Sequence, residues 1–453
     1  MPLQSSFRPG VRDVFSLAAL ALLLLWVPLR AGLGFEAKRD EKTYHLPLVQ
    51  EFAHRAPEAK DLREAPIEMG PFYHIVLGGI GRVLGDDVAR YRFVMLLGGL
   101  ATIALFAGVA RAGGADWRDS TLLLAAFPYF GVCYFTVMTD YAAFLFLVAA
   151  WLAQLRYLRT GGTGALWIAS LAGLVSALVR QSMSFGPALV LVFLLGERLL
   201  APGEQRRPLT AGTIVALAIP FLAIAVRLAL WGGLVPPTML REDGFLGLEA
   251  AYEIPGGYPS HLGLALVSMA ATVGYYLLPA TFALALAARL PLRRVALIVG
   301  AAAALTIACR LVRGPELVTT YGTYLHVVTT LRLRLGEPVS LAIVFLSLAS
   351  FGVIVDAAWR RLGPGAGSRE ARFLALMTIG GFAALSFGKF RIFERYVVPL
   401  HALAIVFLSA AAAERPSRLV RLGLVAAVLF GFAHEVLYAS DVYDLGLIAG
   451  LRP

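Results

Sequence analysis

Val14-Phe-Ser-Leu-Ala-Ala-Leu-Ala-Leu-Leu-Leu-Leu-Trp-Val-Pro-Leu-Arg30 carries no charge before its last residue, and Lys38-Arg39-Asp40-Glu41-Lys42 follows soon after. Apolar stretches of ~17–25 residues are long enough to cross a bilayer. The rest of the chain has the same character. Hydrophobic residues make up 59% and charged residues 15% of its 453 positions, whereas soluble domains carry ~25% charged residues. So few charges cannot cover a surface facing water, and the apolar segments must therefore face lipid. That excludes a cytosolic enzyme. The only cysteines, Cys133 and Cys309, both lie in apolar runs, which excludes a disulfide scaffold and a cysteine-built metal site.

Thirteen stretches read as spans: 14–34, 91–111, 120–138, 140–156, 164–181, 183–199, 211–231, 262–287, 294–311, 338–357, 371–388, 395–412 and 419–438. The expected architecture is an all-α integral membrane bundle of about 13 helices, with residues 1–453 forming one polytopic domain. Short loops on one side hold Arg111 and Arg118, Arg156 and Arg159, Arg198, Arg206 and Arg207, then Arg289, Arg293 and Arg294. Arg360, Arg361, Arg369 and Arg372 continue the series, as do Arg415, Arg418 and Arg421, and Arg8 and Arg12 join it from the amino-terminal end. The positive-inside rule makes that side cytoplasmic, so the net charge of +11 reports topology rather than nucleic-acid binding. The opposite loops are 35–90, 231–261, 312–337, the short 388–395 and a tail over 439–453. The first span resembles a secretory signal with small residues around Ala31, but its length favours a retained helix. Residues 66–84 are apolar enough to cross. Crossing would move every later arginine loop outside, so this stretch is expected to lie along or dip into the outer face. Its Gly78-Gly79-Ile-Gly81 reads as close helix packing rather than a phosphate loop.

Residues able to do chemistry gather on that outer side. Asp40 and Glu41 sit at the membrane surface ahead of an amphipathic segment, 44–56. Taken alone, an acidic pair there reads as a solvated run at a helix amino end. Two further acids change the balance. Glu68 opens the juxtamembrane stretch, and Asp140 is the only acid between Asp119 and Glu197. A carboxylate in so long an apolar region is costly and usually functional, although a plain turn residue is the simpler reading. Cations stand there too, in Arg180-Gln181-Ser182 and in Lys389-Phe-Arg391-Ile-Phe-Glu394-Arg395-Tyr396. The positive-inside rule disfavours arginine at these places. Phosphate oxygens would hold it, as would snorkelling to headgroups or an ion pair with Glu394. His45, His74, His326 and His401 lack metal-ligand spacing and read as polar interface residues, while His261 and His434 are left unassigned. A carboxylate base, cations for phosphate and an apolar groove suit transfer of a sugar from a lipid-linked phosphate to a hydroxyl.

These residues resemble the polyprenyl-phosphate-sugar-dependent glycosyltransferases of the GT-C class. Asp40-Glu41-Lys-Thr-Tyr44 looks like the first-loop Asp-Glu…Tyr signature of that class, Glu68-Met-Gly-Pro71-Phe-Tyr73 is similar to the start of its juxtamembrane helix, and Asp140 sits where it has a second outer-loop acid. The signature is shared with aminoarabinose and protein mannosyl transferases. A nearer likeness is to the dolichyl-phosphate-glucose alpha-1,2-glucosyltransferases, which add the terminal glucose of the N-glycan precursor. It rests on Asp40-Glu41…Tyr44-His45-Leu-Pro47, Phe127-Pro128-Tyr129…Thr139-Asp140, Arg180-Gln181-Ser182 and Glu394-Arg395-Tyr396…Pro399. One extra residue separates the acidic pair from His45, Tyr-Thr-Asp has become Met138-Thr139-Asp140, and Glu68-Met-Gly-Pro71 replaces Thr-Pro-Pro-Gly. The balance of 36 Arg against 4 Lys suits a bacterial relative.

The resemblance implies that Asp40 is the catalytic base, with Glu41 as the second choice. It gives Asp140 and Glu68 acceptor-positioning or metal-binding roles, and Arg180, Arg391 and Arg395 contacts to the donor phosphate. Tyr44, His45, Tyr73, Gln181 and Tyr396 are the remaining expected substrate contacts. The implied partners are a polyprenyl-phosphate-sugar donor, a hydroxyl on a lipid-linked glycan or other envelope acceptor, and membrane lipid, but no nucleic acid. The transferred sugar would be a hexose such as glucose. The resemblance names no definite cofactor, and a divalent metal fits the chemistry. The implied place is the bacterial inner membrane, with the site on the extracytoplasmic face. A transporter or lipid flippase is the rival reading. It needs ionisable residues along a path inside the spans, and Arg227 is the one weak instance. An inactive relative serving as an assembly partner is a third reading.

Overall fold

The computed structural model describes residues 10–36, 40–64, 67, 69–200, 210–233, 236–237, 257–313, 320–321, 333–362, 368–388 and 392–443. Glu68, Arg391 and His326 lie outside the described residues, as do most of the 231–261 and 312–337 loops. Helix α1 is Val11–Ala31. A wide turn over Glu41–His45 leads into α2, Leu46–His54, then α3, Ala59–Arg63, α4, Phe72–Leu84, and α5, Val88–Ala112. Next come α6, Trp117–Ala125, α7, Pro128–Gly131, α8, Thr139–Thr160, α9, Thr163–Val179, and α10, Phe185–Leu200. The second half contains α11, Ala211–Ala218, α12, Leu222–Trp231, α13, Gly257–Tyr276, α14, Leu278–Ala288, and α15, Leu292–Arg313. It closes with α16, Glu337–Leu362, α17, Arg369–Gly388, α18, Val398–Ala413, and α19, Arg418–Tyr443. Two short segments, Thr320–Tyr321 and Ile392–Phe393, pair in parallel.

Among the described residues nine helices are long and apolar enough to cross a membrane, or ten if the bent pair α13–α14 counts as one. The chain is an integral membrane protein. Several expected spans are broken by proline. The 120–138 stretch is two short helices, because Pro128 forces Phe127 out of the helical region (φ −75°, ψ 116°). Leu262–Tyr276 and Leu278–Ala288 meet at 78°, with Pro279 in the first turn of the second helix. Pro220 likewise interrupts 211–231 with a tighter turn. Helix α4 has thirteen residues, too short for a hydrocarbon core of ~30 Å at ~1.5 Å per residue. It is amphipathic, with Tyr73, His74, Leu77, Gly78 and Gly81 inward and Val76 and Val83 outward.

At the centre stands α18. Its span is 94% buried within the protein, which fits a helix that is apolar on every side. The arginine-rich loops collect at one end of the bundle, and many of their charges pair with acids. Arg118 bonds Asp13 at 2.6 Å, Arg159 bonds Glu370 at 2.7 Å, Arg361 bonds Glu414 at 2.5 Å, and Arg369 bonds Glu197. Helix parity then brings the Asp40 turn, the start of α8, the end of α9 and the start of α18 together at the other end.

Helix α2 lies against α4 across Gly78, where a Cβ would come 2.8 Å from Phe52 Cβ and 2.7 Å from the Val49 carbonyl oxygen. A Cβ at Gly79 would meet nothing within 4 Å. Gly78→Ala is expected to destabilise the protein by about 1–3 kcal/mol through overpacking, and Gly79→Ala to be neutral or slightly stabilising. Thermal unfolding in detergent of the two neighbouring variants checks this.

Candidate active site

The Asp40 turn owes its shape to Pro47. Proline has no N–H to continue the helical ladder, and the amide of Leu46 reaches back five residues to the carbonyl of Glu41. This wider turn accommodates one extra residue. Such single π turns recur at functional sites.

Glu41 is fully engaged. Arg92, in the second turn of α5, donates from Nε to Glu41 Oε1 at 3.0 Å and from Nη2 to Oε2 at 2.6 Å. The Val137 amide donates to Glu41 Oε1 at 2.9 Å. The remaining Arg92 nitrogen, Nη1, donates to the carbonyls of Leu33 and Phe35, at 2.9 and 2.7 Å. Its guanidinium also lies 3.4 Å over the Phe35 ring. Both side chains are buried, at 0% and 5% exposure. A bidentate pair of this kind fixes geometry.

Asp40 points the other way and remains 35% exposed at its side chain. Arg395 Nη2 donates to its Oδ2 at 2.6 Å. The same guanidinium approaches Asp140 Oδ2 at 3.6 Å through Nε, and Arg180 Nε lies 2.9 Å from Asp140 Oδ1. Two helix dipoles favour this placement, because Asp140 is in the first turn of α8 and Arg180 caps the end of α9. Since α8 and α9 are consecutive and antiparallel, those termini share one end. Arg180 Nη1 donates to Thr139 Oγ1 at 2.9 Å. The Tyr396 ring lies beneath both guanidinium groups, 4.5 Å from that of Arg180 and 5.4 Å from that of Arg395. Two carboxylates and two guanidinium groups thus form one formally neutral cluster.

This cluster is incompletely satisfied. Asp140 touches both cations without an aligned hydrogen bond, and the buried Arg180 Nη2 has no acceptor among the described residues. Buried charged groups without such partners are costly. A bound anion supplying oxygens to Arg180 would complete the set.

Of the sequence-expected residues, Asp40, Asp140, Arg180, Arg395 and Tyr396 come together. Gln181 is half-buried next to Arg180 in a short turn. Tyr44 is 51% exposed. Tyr73 is buried, its hydroxyl 3.4 Å from Met95 Sδ and its ring edge-on to His45. His45 is buried against His74. Glu68 and Arg391 lie outside the described residues. Among the described residues, no three His, Cys, Asp or Glu side chains gather as metal ligands. Sequence reasoning missed Arg92, although an arginine near the start of an apolar span on the non-cytoplasmic side was itself a signal.

No protein-family model matches the chain, and no curated protein does. Several solved structures do, two of them with TM-scores just above 0.5. The crystal structure of ArnT from Cupriavidus metallidurans bound to undecaprenyl phosphate aligns at a TM-score of 0.52 and 14% identity, over 97% of this chain and 66% of that one. The oligosaccharyltransferase of Archaeoglobus fulgidus, in complex with zinc and sulfate, aligns at 0.51 and 14% identity, over 94% of this chain and 52% of that one. The fold is of the GT-C type. The chain spans 66% of the ArnT chain and about half of the oligosaccharyltransferase.

Arg92→Met should leave Glu41 as a buried unpaired charge and cost about 3–5 kcal/mol. Adding Glu41→Leu should recover much of that loss, in a double-mutant cycle read from unfolding midpoints in one detergent.

Proposed function

We propose that this GT-C-type membrane protein is a glycosyltransferase that moves a sugar from a polyprenyl-phosphate carrier to an acceptor hydroxyl. The observation that supports this most directly is the meeting of Asp40, Asp140, Arg180 and Arg395. These residues come from four separate elements and lie within ion-pair distance at one end of the bundle. The ArnT structure of similar fold has undecaprenyl phosphate bound, and a carrier of that kind suits the unsatisfied Arg180. The distribution of loop arginines supports an extracytoplasmic position for the cluster, and the excess of Arg over Lys supports a bacterial plasma membrane.

In this reading Asp40 is the base. The engagement of both Glu41 oxygens by Arg92 and the Val137 amide supports Asp40 over Glu41 for the role. The acceptor oxygen forms a bond to the anomeric carbon while Asp40 takes its proton. The bond from that carbon to the phosphate oxygen breaks, and the phosphate leaves with the electron pair, stabilised by Arg180 and Arg395. A single displacement of this kind inverts the anomeric centre. Arg395 also engages Asp40 itself. Phosphate competes for that guanidinium, so donor binding releases the base at the moment it is needed. Asp140 holds the two arginines in register. The nearer likeness to glucosyltransferases supports a hexose, with a lipid-linked glycan as acceptor. Glu68 and Arg391 complete the proposed set as acceptor-side acid and donor-side cation.

The test incubates purified protein with several polyprenyl-phosphate sugars and extracted lipid-linked glycans, and follows donor and acceptor masses. Transfer of one sugar is expected, falling about 10²–10⁴-fold in Asp40→Asn, since general-base catalysis contributes that much. Asp40 is partly exposed, so the variant should keep its unfolding midpoint. Unchanged turnover in Asp40→Asn would remove that residue from the mechanism. Donor consumption by no preparation, with movement of labelled lipid between leaflets instead, would favour the transporter.

A further inference from the structure

His45 ends the turn that carries Asp40 and Glu41, and His74 is the third residue of α4. The packing of α2 on α4 through Gly78 brings them together. His45 Nδ1 lies 2.9 Å from His74 Nε2, with the rings stacked at 5.2 Å and 15°. Both residues are buried, at 3% and 0% exposure. Tyr73 packs edge-on against both rings. Arg180 and Arg395 act on the His45 ring, and Glu41 and Asp140 act on the adjoining Tyr73.

Neither imidazole gains a second proton readily. Burial, with Arg180 and Arg395 nearby, pushes His45 down to about 3, and burial pushes His74 well below the usual histidine range. Two neutral rings share one proton in their hydrogen bond, which allows two arrangements. If His45 donates from Nδ1, His74 accepts at Nε2 and must carry its own proton on Nδ1. That nitrogen is buried and has no partner among the described residues, so a donor N–H would be stranded. If His74 donates from Nε2, only a lone pair is stranded there, and orphaned buried N–H groups are the rarer kind. His45 then holds its proton on Nε2. That atom has no hydrogen-bond partner among the described residues, and the guanidinium groups of Arg180 and Arg395 are close enough to act on the ring.

We propose that His74 is a positioning residue that fixes the His45 tautomer, so that His45 Nε2–H donates into the Asp40–Arg395 cleft, to an oxygen of the bound sugar phosphate. The clause about substrate rests on the glycosyltransferase reading; the tautomer does not. A neutral donor adds direction to a cleft that already has two cations.

The decisive experiment is ¹⁵N NMR of the full-length protein, histidine-labelled and in nanodiscs, with His45 assigned by its loss in His45→Gln. His45 should show a protonated Nε2 and an unprotonated Nδ1 from pH 5.5 to 8, and His74→Leu should convert it to a tautomer mixture. In transfer assays His74→Leu should raise the donor KM about two- to threefold, the cost of populating the donating tautomer only in part. His74→Gln, which keeps a donor at the same reach, should stay near wild type. A proton on Nδ1 of His45 in the wild-type protein overturns the proposal. So do equal losses in the two His74 variants with an unchanged His45 spectrum, which would mean packing alone. Should wild-type protein transfer no sugar, the proposed function fails while the spectrum still decides the tautomer.

Discussion

A guanidinium enclosed by apolar helices must find oxygen for every N–H or leave the interior. Arg92 meets that demand with the two carboxylate oxygens of Glu41 and the carbonyls of Leu33 and Phe35. Glu41 in turn accepts from the Val137 amide, just before the helix that begins with Thr139 and Asp140. One interaction thus ties three stretches distant in sequence: the chain leaving the first helix, the start of α5 and the approach to α8. Because Glu41 is pinned inward, its neighbour Asp40 turns outward, towards Arg395. The orientation of the acid in the cleft is set by the acid that is not.

The cluster beyond that pin is neutral in sum but poorly bonded in detail. Asp140 meets Arg180 and Arg395 as a charge, without aligned hydrogen bonds, while Asp40 engages Arg395 closely. Such an arrangement can exchange partners. In a low-dielectric setting each cation needs a compensating anion nearby, and a phosphate can take the place that Asp40 holds. The arginines at the opposite end of the bundle behave differently. They pair with Glu197, Glu370 and Glu414 across loops, so they brace the helices as well as marking topology.

The turn that carries Asp40 and Glu41 is wider than an α-helical turn. The extra residue between the acidic pair and His45 lies in a turn whose hydrogen bond spans five residues instead of four. A wider turn takes up an insertion and leaves the following helix in register, so His45 can still pack on α4. Glu68, where the motif differs more, lies outside the described residues.

Much of the architecture was legible in the sequence because lipid imposes a simple rule: long apolar runs become helices, and loop arginines fix their parity. That rule placed Asp40, Asp140, Arg180 and Arg395 at one end, and it expected residues 66–84 to lie along or dip into the outer face, where the helix Phe72–Leu84 has only thirteen residues. It failed at Phe127-Pro128 and around Leu277, where proline breaks runs that hydropathy alone reads as continuous. The sequence ranked Asp40 above Glu41 only by resemblance, and it could not show how differently the two are held. Two adjacent carboxylates are chemically alike until one of them meets Arg92, fifty-one residues away. The same holds for His45 and His74, whose contact depends on two helices approaching across a glycine. Composition and periodicity determine which segments leave water, since that is a local property of each side chain. Which buried charge finds which partner is decided only when the helices pack, because hydrogen bonds act over about 3 Å and have no memory of chain distance.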